Sequence, residues 1–360
     1  MSITNPFDYR AFLKNANINS SINNQPVNGT FELTERCNLK CQMCYISPKT
    51  CNKKDFRELS STQWVDLAHQ AKENGMVFLT ITGGEVFLRE DFFEIYTPLT
   101  RMGLIITLLT NGTLLSDKIV NQLSEAPPNR TEITLYGASA DTYEGITNIP
   151  GSYDRCCSGI DLMLKRKIPL LLKTTLTQNN KHELEDMRRM AKNWGVPFSA
   201  GWLISKRRDG TLSSVENYRI PASECIKLEN TDGDSVAKWT EATCFDTSEK
   251  NDNFYCQAGL SSFSLNSQGE MNGCIELTQP ASRPLEIGFI SAWRQVREYV
   301  NMAPPLSKDC QHCEALNFCP RCPAWSFIET GTLTEPVNYL CEIAKERKEC
   351  YGKKNGNTAI

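Results

Sequence analysis

The chain has 360 residues, 40% of them hydrophobic, with 39 basic and 42 acidic side chains and a formal net charge of −3. That is enough for two packed cores, or for one barrel with an added domain, and the near balance of charge argues against an electrostatic nucleic-acid binder. No apolar run reaches the ~18 residues of a membrane helix, and the polar Met1–Arg10 has no signal-peptide h-region. No nucleic-acid or membrane partner and a cytoplasmic location are therefore expected.

Residues 1–28 are polar and Asn-rich and read as an N-terminal arm, with a short helix near Tyr9–Lys14. A first strand starts at Phe31–Thr34. Strand and helix patterns then alternate. Val77–Thr82 ends in Gly83-Gly84, Leu104–Thr110 ends in Asn111-Gly112, and Thr131–Tyr136 ends in Gly137. Pro169–Thr177 and Pro197–Leu203 follow. Between them lie amphipathic stretches at Ser61–Asn74, Asp91–Met102, Ser116–Glu125, Tyr153–Arg166 and Lys181–Trp194, with cap signals at Ser60-Ser61-Thr62 and Ser116-Asp117. Strands and helices with short connections imply parallel βα units. Six units over 29–205 predict an α/β fold, a partial (β/α)6 TIM-like barrel. The alternation breaks at Lys206-Arg207-Arg208-Asp209-Gly210. Residues 206–243 read as a linker with some helix, and 244–345 as a small cysteine-rich domain. That domain holds a hairpin at Ser262–Asn266 and Glu270–Cys274, and a tail of 346–360 ends the chain.

Sixteen cysteines are unusual for a chain of this size. In a reducing compartment, clustered cysteines are metal ligands more often than disulfides. Cys156, Cys157, Cys225, Cys51 and Cys350 have no ligand-like spacing and read as packed thiols. Cys37, Cys41 and Cys44 form C-x3-C-x2-C at the end of the first strand. Three thiolates on one iron–sulfur cubane leave one iron open, as a catalytic metal requires. The alternatives are a zinc knuckle or plain thiols. Further on stand Cys256-x17-Cys274, then Cys310-x2-Cys313-x5-Cys319-x2-Cys322, then Cys341. Paired C-x2-C units read as metal ligands, with a zinc ribbon as the rival.

The first group resembles the signature of the radical S-adenosylmethionine (SAM) superfamily, and the resemblance extends over about 29–205. It implies a SAM-binding 4Fe–4S cluster on Cys37, Cys41 and Cys44, and a 5′-deoxyadenosyl radical that abstracts hydrogen from substrate. It further implies SAM contacts from Gly83, Gly84 and Glu85, from Thr110 and Asn111, and from Thr134. Relatives carry Pro where this chain has Val86, and Arg where it has Thr147. On the residues alone, Gly83-Gly84 also reads as a turn and Thr134 as an ordinary strand residue.

The C-terminal group resembles the SPASM extension of radical SAM peptide-modifying enzymes, although its last pair is one residue short. The resemblance implies two auxiliary 4Fe–4S clusters. Cys310, Cys313, Cys319 and Cys341 would hold one. Cys256, Cys274 and Cys322 would hold the other, which either Cys244 completes or an open site leaves free for a substrate thiolate. The implied function is radical modification of a peptide or protein, such as a thioether or carbon–carbon crosslink. Electrons would come from flavodoxin or ferredoxin, and a separate protein could recognise a leader peptide. Sulfatase maturation ranks lower, because Glu276 is one residue beyond the expected carboxylate position and a shift of one on a strand turns a side chain to the other face. Cofactor or small-molecule synthesis and a non-enzymatic zinc or iron–sulfur protein stay open. No catalytic acid or base is identified. Tyr136, Tyr143 and Trp202 read as lining of the substrate mouth or as packing. His69 and His182 read as helix-surface residues, and His312 as a neighbour of the outer cysteines.

Overall fold

A computed structural model describes residues 23–46, 57–209, 215–231, 254 and 256–352. The expected arm helix at Tyr9–Lys14, Cys51 and Cys244 lie outside these residues. Six parallel strands follow one another as the sequence predicts: β1 (Asn28–Glu32), β2 (Phe78–Thr82), β3 (Ile105–Thr110), β4 (Arg130–Thr134), β5 (Leu170–Thr175) and β6 (Phe198–Gly201). Their sheet order is β6-β5-β4-β3-β2-β1, the sequential order of a partial barrel.

Burial alternates along the strands. In β3, Ile106, Leu108 and Thr110 are buried while their neighbours are half-buried; in β5, Leu170, Leu172 and Thr174 repeat the pattern. One face packs on helices and the other lines an open concavity. Thr30, Thr80 and Thr107 lie side by side in register on β1, β2 and β3, so the half-buried row across the concave face is polar.

The helices form where apolar spacing and caps agree. Helix Ser61–Glu73 buries Trp64, Leu67, Ala68 and Ala71 on one stripe, and Ser60 with Gln63 closes a capping box at its start. Trp64 packs on Phe31 of β1 with ring centroids 5.0 Å apart. Truncating such a fully buried indole typically costs about 3–5 kcal/mol. Gly29 is required between layers, since a Cβ there would lie 2.5 Å from Met76 Sδ and 2.9 Å from Phe263.

Three features differ from expectation. Helix Ala140–Thr147, capped by Ser139, fills a stretch that the sequence left unassigned. β2 and β3 end where expected, but β1, β4, β5 and β6 each end two residues early, so Thr34 and Tyr136 lie in the loops above them. The expected hairpin is present as β7 (Ser262–Leu265) and β8 (Met271–Asn272), but β7 pairs in parallel with β1 and extends the barrel sheet to eight strands. Phe263 and Leu265 accordingly join the barrel core, with Phe289 and Trp293 of helix Phe289–Asn301 packed edge-on against Phe263. Among the described residues, no helix is long and apolar enough to cross a membrane.

Candidate functional site

Cys37, Cys41 and Cys44 lie on the loop leaving β1, at the C-terminal end of the parallel strands. The loop after β2 and the end of helix Ala140–Thr147 hold it by backbone hydrogen bonds. Gly84 N–H donates to Thr34 O at 2.7 Å and Glu85 N–H to Arg36 O at 2.8 Å. On the other side Lys40 N–H donates to Thr147 O at 2.9 Å and Gln42 N–H to Ile146 O at 3.3 Å. The two glycines make the first clasp possible. A Cβ on Gly83 would stand 2.4 Å from Thr34 O, and one on Gly84 2.2 Å from Arg36 O.

The three sulfurs lie close enough to feel one another's charge. Desolvation of the sulfur pushes the Cys37 thiol up to about 11, although the residue as a whole is exposed, and half-buried Cys41 is pushed up to about 12; Cys44 adds to both. Cys44 is raised by burial, partly offset by Arg208 and Arg207. Leu39 N–H and the Asn111 amide point at Cys37 Sγ, at 3.4 and 3.8 Å, and Tyr136 hydrogen-bonds to Cys41. Desolvated thiols that face one another need a cationic group to become thiolates. An iron–sulfur cluster fits this donor set.

The other expected contacts surround this loop. Glu85 is buried, with Oε1 accepting from Thr110 Oγ1 at 2.8 Å and Phe87 N–H at 3.2 Å, and Oε2 accepting from Asn111 N–H at 2.8 Å. It thus fastens the loop after β2 to the loop after β3. Burial raises its carboxyl against those hydrogen bonds. Thr134 ends β4 on the concave face, in register with Lys173. Thr147 faces inward, bonded to Ser152 Oγ at 2.8 Å.

The later cysteines separate into two sets. Cys274 senses Cys322 and Cys256, and burial pushes it up to about 12 and Cys322 to about 11. Cys319 senses Cys341 and Cys310, while Cys341 senses Cys310 and Cys313. This is the division 256/274/322 against 310/313/319/341. Cys156 and Cys225 are buried against Tyr143 and Tyr339, as packed thiols should be. Tyr143 is fully buried and Trp202 nearly so, which makes both packing residues; Tyr136 hydrogen-bonds to Cys41. His69, His182 and His312 are exposed.

Between the two cysteine regions lies a cavity of about 180 Å³ lined by Glu32, Arg208, Asn266, Glu270, Asn272 and Cys274 among others. Arg208 spans it. Its Nη1 donates to Glu32 Oε2 at 2.5 Å and to Ile275 O at 2.8 Å, and its guanidinium lies 4.9 Å over the Tyr45 ring. Tyr45 in turn donates to Glu32 Oε1 at 3.0 Å. The sequence offered only a basic run at 206–208 as a signal for this residue. Glu276 requires a correction. Residues 274–276 form a bend and turn, not a strand, so strand alternation does not decide where Glu276 points. Its Oε1 accepts from Ser205 Oγ at 3.0 Å, and burial raises the carboxyl to about 7.

Residues 31–191 match the radical SAM superfamily. The chain is 26% identical over 341 residues to the AdoMet-dependent heme synthase of Methanosarcina barkeri, covering 89% of this chain and 97% of that protein. It is 28% identical over 182 residues to the antilisterial bacteriocin subtilosin biosynthesis protein AlbA of Bacillus subtilis, covering 49% of this chain and 40% of AlbA. The fold is similar to that of Streptococcus suis SuiB bound to its precursor peptide SuiA, with a TM-score of 0.71 at 15% identity, over 94% of this chain and 82% of SuiB.

Barrel, strand-end loops and superfamily match define a SAM-binding radical SAM domain. Residues 31–191 are a radical SAM superfamily domain with oxidoreductase activity of that kind, and a C-terminal extension follows them.

Proposed function

We propose that the chain abstracts hydrogen from a peptide or protein substrate and so installs a post-translational modification, a thioether or carbon–carbon crosslink or a related change. The observation that carries this reading is the polar cavity between the first cysteine loop and Cys274, lined by several carboxylates around one arginine. A peptide side chain entering there would lie between the two cysteine regions.

Cys37, Cys41 and Cys44 would hold one 4Fe–4S cluster. Gly83, Gly84, Glu85, Thr110, Asn111 and Thr134 would surround SAM, with Glu85 also fixing the loop that carries Asn111. Cys310, Cys313, Cys319 and Cys341 would hold an outer auxiliary cluster, and Cys256, Cys274 and Cys322 an inner one. When bound, cluster and SAM supply a 5′-deoxyadenosyl radical. The protein's part is to position the substrate and exclude water, which burial of Glu85 and Tyr143 around the loop favours. A flavodoxin or ferredoxin would supply electrons. The domain division proposed is 29–205 for the barrel, 206–243 for the linker and 244–345 for the auxiliary region, with β7 docked on the barrel sheet.

The second reading is synthesis of a haem or another cofactor. It is favoured by the full-length similarity to heme synthases, whereas AlbA matches over half the chain. Against it stands the charge of the cavity. Glu32, Glu35, Asp209 and Glu270 beside Arg208 would repel the carboxylates of a haem precursor.

The deciding experiment supplies the anaerobically reconstituted chain with SAM and dithionite, and measures 5′-deoxyadenosine with two kinds of substrate. Peptides encoded beside the gene should raise its yield and gain a mass change. A rise only with a carboxylated iron porphyrin would move the assignment to the second reading. No 5′-deoxyadenosine under any condition would sink both.

A further inference from the structure

Two asparagines and a threonine form a closed hydrogen-bonded circuit against Cys37. Thr113 N–H donates to Asn111 Oδ1 at 2.9 Å. A backbone N–H can only donate, so this bond alone settles which end of the Asn111 amide is oxygen. Thr113 Oγ1 donates to the same oxygen at 2.7 Å and accepts from Asn38 Nδ2 at 2.8 Å. Asn38 Oδ1 accepts from Asn111 Nδ2 at 2.9 Å, which closes the ring. Asn111 Nδ2 then has one hydrogen left, and it faces Cys37 Sγ at 3.8 Å. Every direction in the circuit follows from one backbone donor. The amide cannot flip without breaking the bonds at both its ends. The backbone of Asn111 is fixed as well, since its N–H is held by Glu85 Oε2.

We propose that Asn38, Asn111 and Thr113 act together as positioning residues that hold one N–H on the Cys37 sulfur and thereby set the reduction potential of the cluster bound there. The inference rests on the reading of Cys37 as a cluster ligand. A hydrogen bond to a ligating sulfur stabilises the more negative, reduced state, and outer partners of metal ligands fix both orientation and electronics. Asn38 is the residue next to the ligand, so the circuit also ties the cysteine loop to the loop after β3. Asn111 is expected near SAM; Asn38 and Thr113 have no such role and act through Asn111.

The test is a redox titration of the reconstituted chain followed by electron paramagnetic resonance, reading the signal that SAM perturbs and that Cys37→Ala removes. Asn111→Leu should lower the potential, reducing the ratio of reduced to oxidised cluster about tenfold at fixed ambient potential, or about 59 mV for one electron. Thr113→Val should move it in the same direction by less, and Thr113→Ser should restore the wild-type value. Iron and sulfide content, measured in parallel, should not change. If Asn111→Leu fails to take up iron, Thr113→Val decides alone. Wild-type potentials in both apolar variants would overturn the proposal while leaving Cys37 as a ligand. Absence of any SAM-sensitive signal in the wild type would instead overturn the cluster reading.

Discussion

The two cysteine regions are built in different ways. Cys37, Cys41 and Cys44 lie within eight residues, and the loop that carries them is clasped by Gly84, Glu85, Ile146 and Thr147 from neighbouring βα units. Beneath it is the barrel core, continuous from Phe31 through Leu108 and Ile133 to Leu172. The later cysteines are spread from 256 to 341, on turns and a short helix up to Cys322 and on the helix Asn338–Tyr351 at Cys341. The apolar clusters beside them are small: Phe254, Ala258, Leu277, Val300 and Ala324 in one, Trp325, Val337 and Leu340 in another. Buried charges supply much of the bracing. Arg219 lies against Tyr339 and Trp325 and pairs with Glu329, and Arg347 pairs with Glu229. The barrel thus holds its cysteine loop by its own backbone clasps and core, whereas on the proposed reading the C-terminal set would depend more on what its cysteines bind.

The largest expected effect separates the two regions by activity. Cys37→Ala should abolish SAM cleavage, a loss of at least about 10³-fold if radical formation needs the open iron. Iron held by the C-terminal cysteines should remain. Retained formation of 5′-deoxyadenosine in that variant would end the distinction between the regions.

Next in size is the brace at the chain's end. Arg347 Nε lies 3.0 and 3.1 Å from the two oxygens of Glu229, and both side chains are buried. They join helix Ala222–Glu229 to helix Asn338–Tyr351. Removing one partner leaves the other charge buried, so Arg347→Met should cost about 3–5 kcal/mol in chemical denaturation. The loss should appear first in hydrogen exchange of 338–351, with β2 to β5 protected until global unfolding. Simultaneous loss across both would show one cooperative unit.

A smaller effect tests the dependence on bound iron. Cys313→Ala should leave SAM cleavage within about tenfold of wild type but uncouple it from product formation. Proteolysis of 306–345 should quicken without change in the barrel. Loss of SAM cleavage with the first cluster intact would show that the regions do not have separate roles.

The barrel half of this comparison was legible in the sequence. The strands are β-branched runs closed by Gly83-Gly84, Asn111-Gly112 and Gly137, and Ser60 and Ser116 cap where their positions predict. Helix Ala140–Thr147 escaped because its short run includes Gly145 and buries only Tyr143, Ile146 and Thr147. The C-terminal half was less legible for a different reason. Spacing showed which cysteines are candidate ligands, but pairing of β7 with β1 joins residues more than 230 apart and has no local signature. The Asn38–Asn111–Thr113 circuit is hidden in the same way. Each residue is ordinary in its own loop, and only the fold brings them together. Glu276 was visible, but its environment depended on whether Cys274 begins a turn or continues a strand.

The smallest effect concerns pH and falls on the barrel alone. Glu183, in the short turn before helix Leu184–Trp194, reaches across to the start of helix Ala140–Thr147. Its Oε2 accepts from Ala138 N–H at 2.6 Å and Ser139 N–H at 3.2 Å, and its Oε1 from Ser139 Oγ at 2.6 Å and Thr142 Oγ1 at 2.7 Å. Burial alone would raise this carboxyl, but the four hydrogen bonds outweigh it and hold the group below its ordinary value. The folded state therefore binds the proton less readily than the unfolded chain. The stabilisation is fully present above the ordinary carboxylate range and is lost as pH falls through the depressed folded value. Glu183→Gln should remove it, costing about 1–2 kcal/mol at neutral pH and flattening the acid limb of the stability curve. Amide exchange at Ala138 and Ser139 should accelerate on acidification in the wild type, while the region around Cys310–Cys322 changes independently of the substitution. An acid limb unchanged in Glu183→Gln would assign acid sensitivity to other carboxylates, and would remove one of the contacts by which the barrel, rather than its cofactors, holds the loops around the first cysteines.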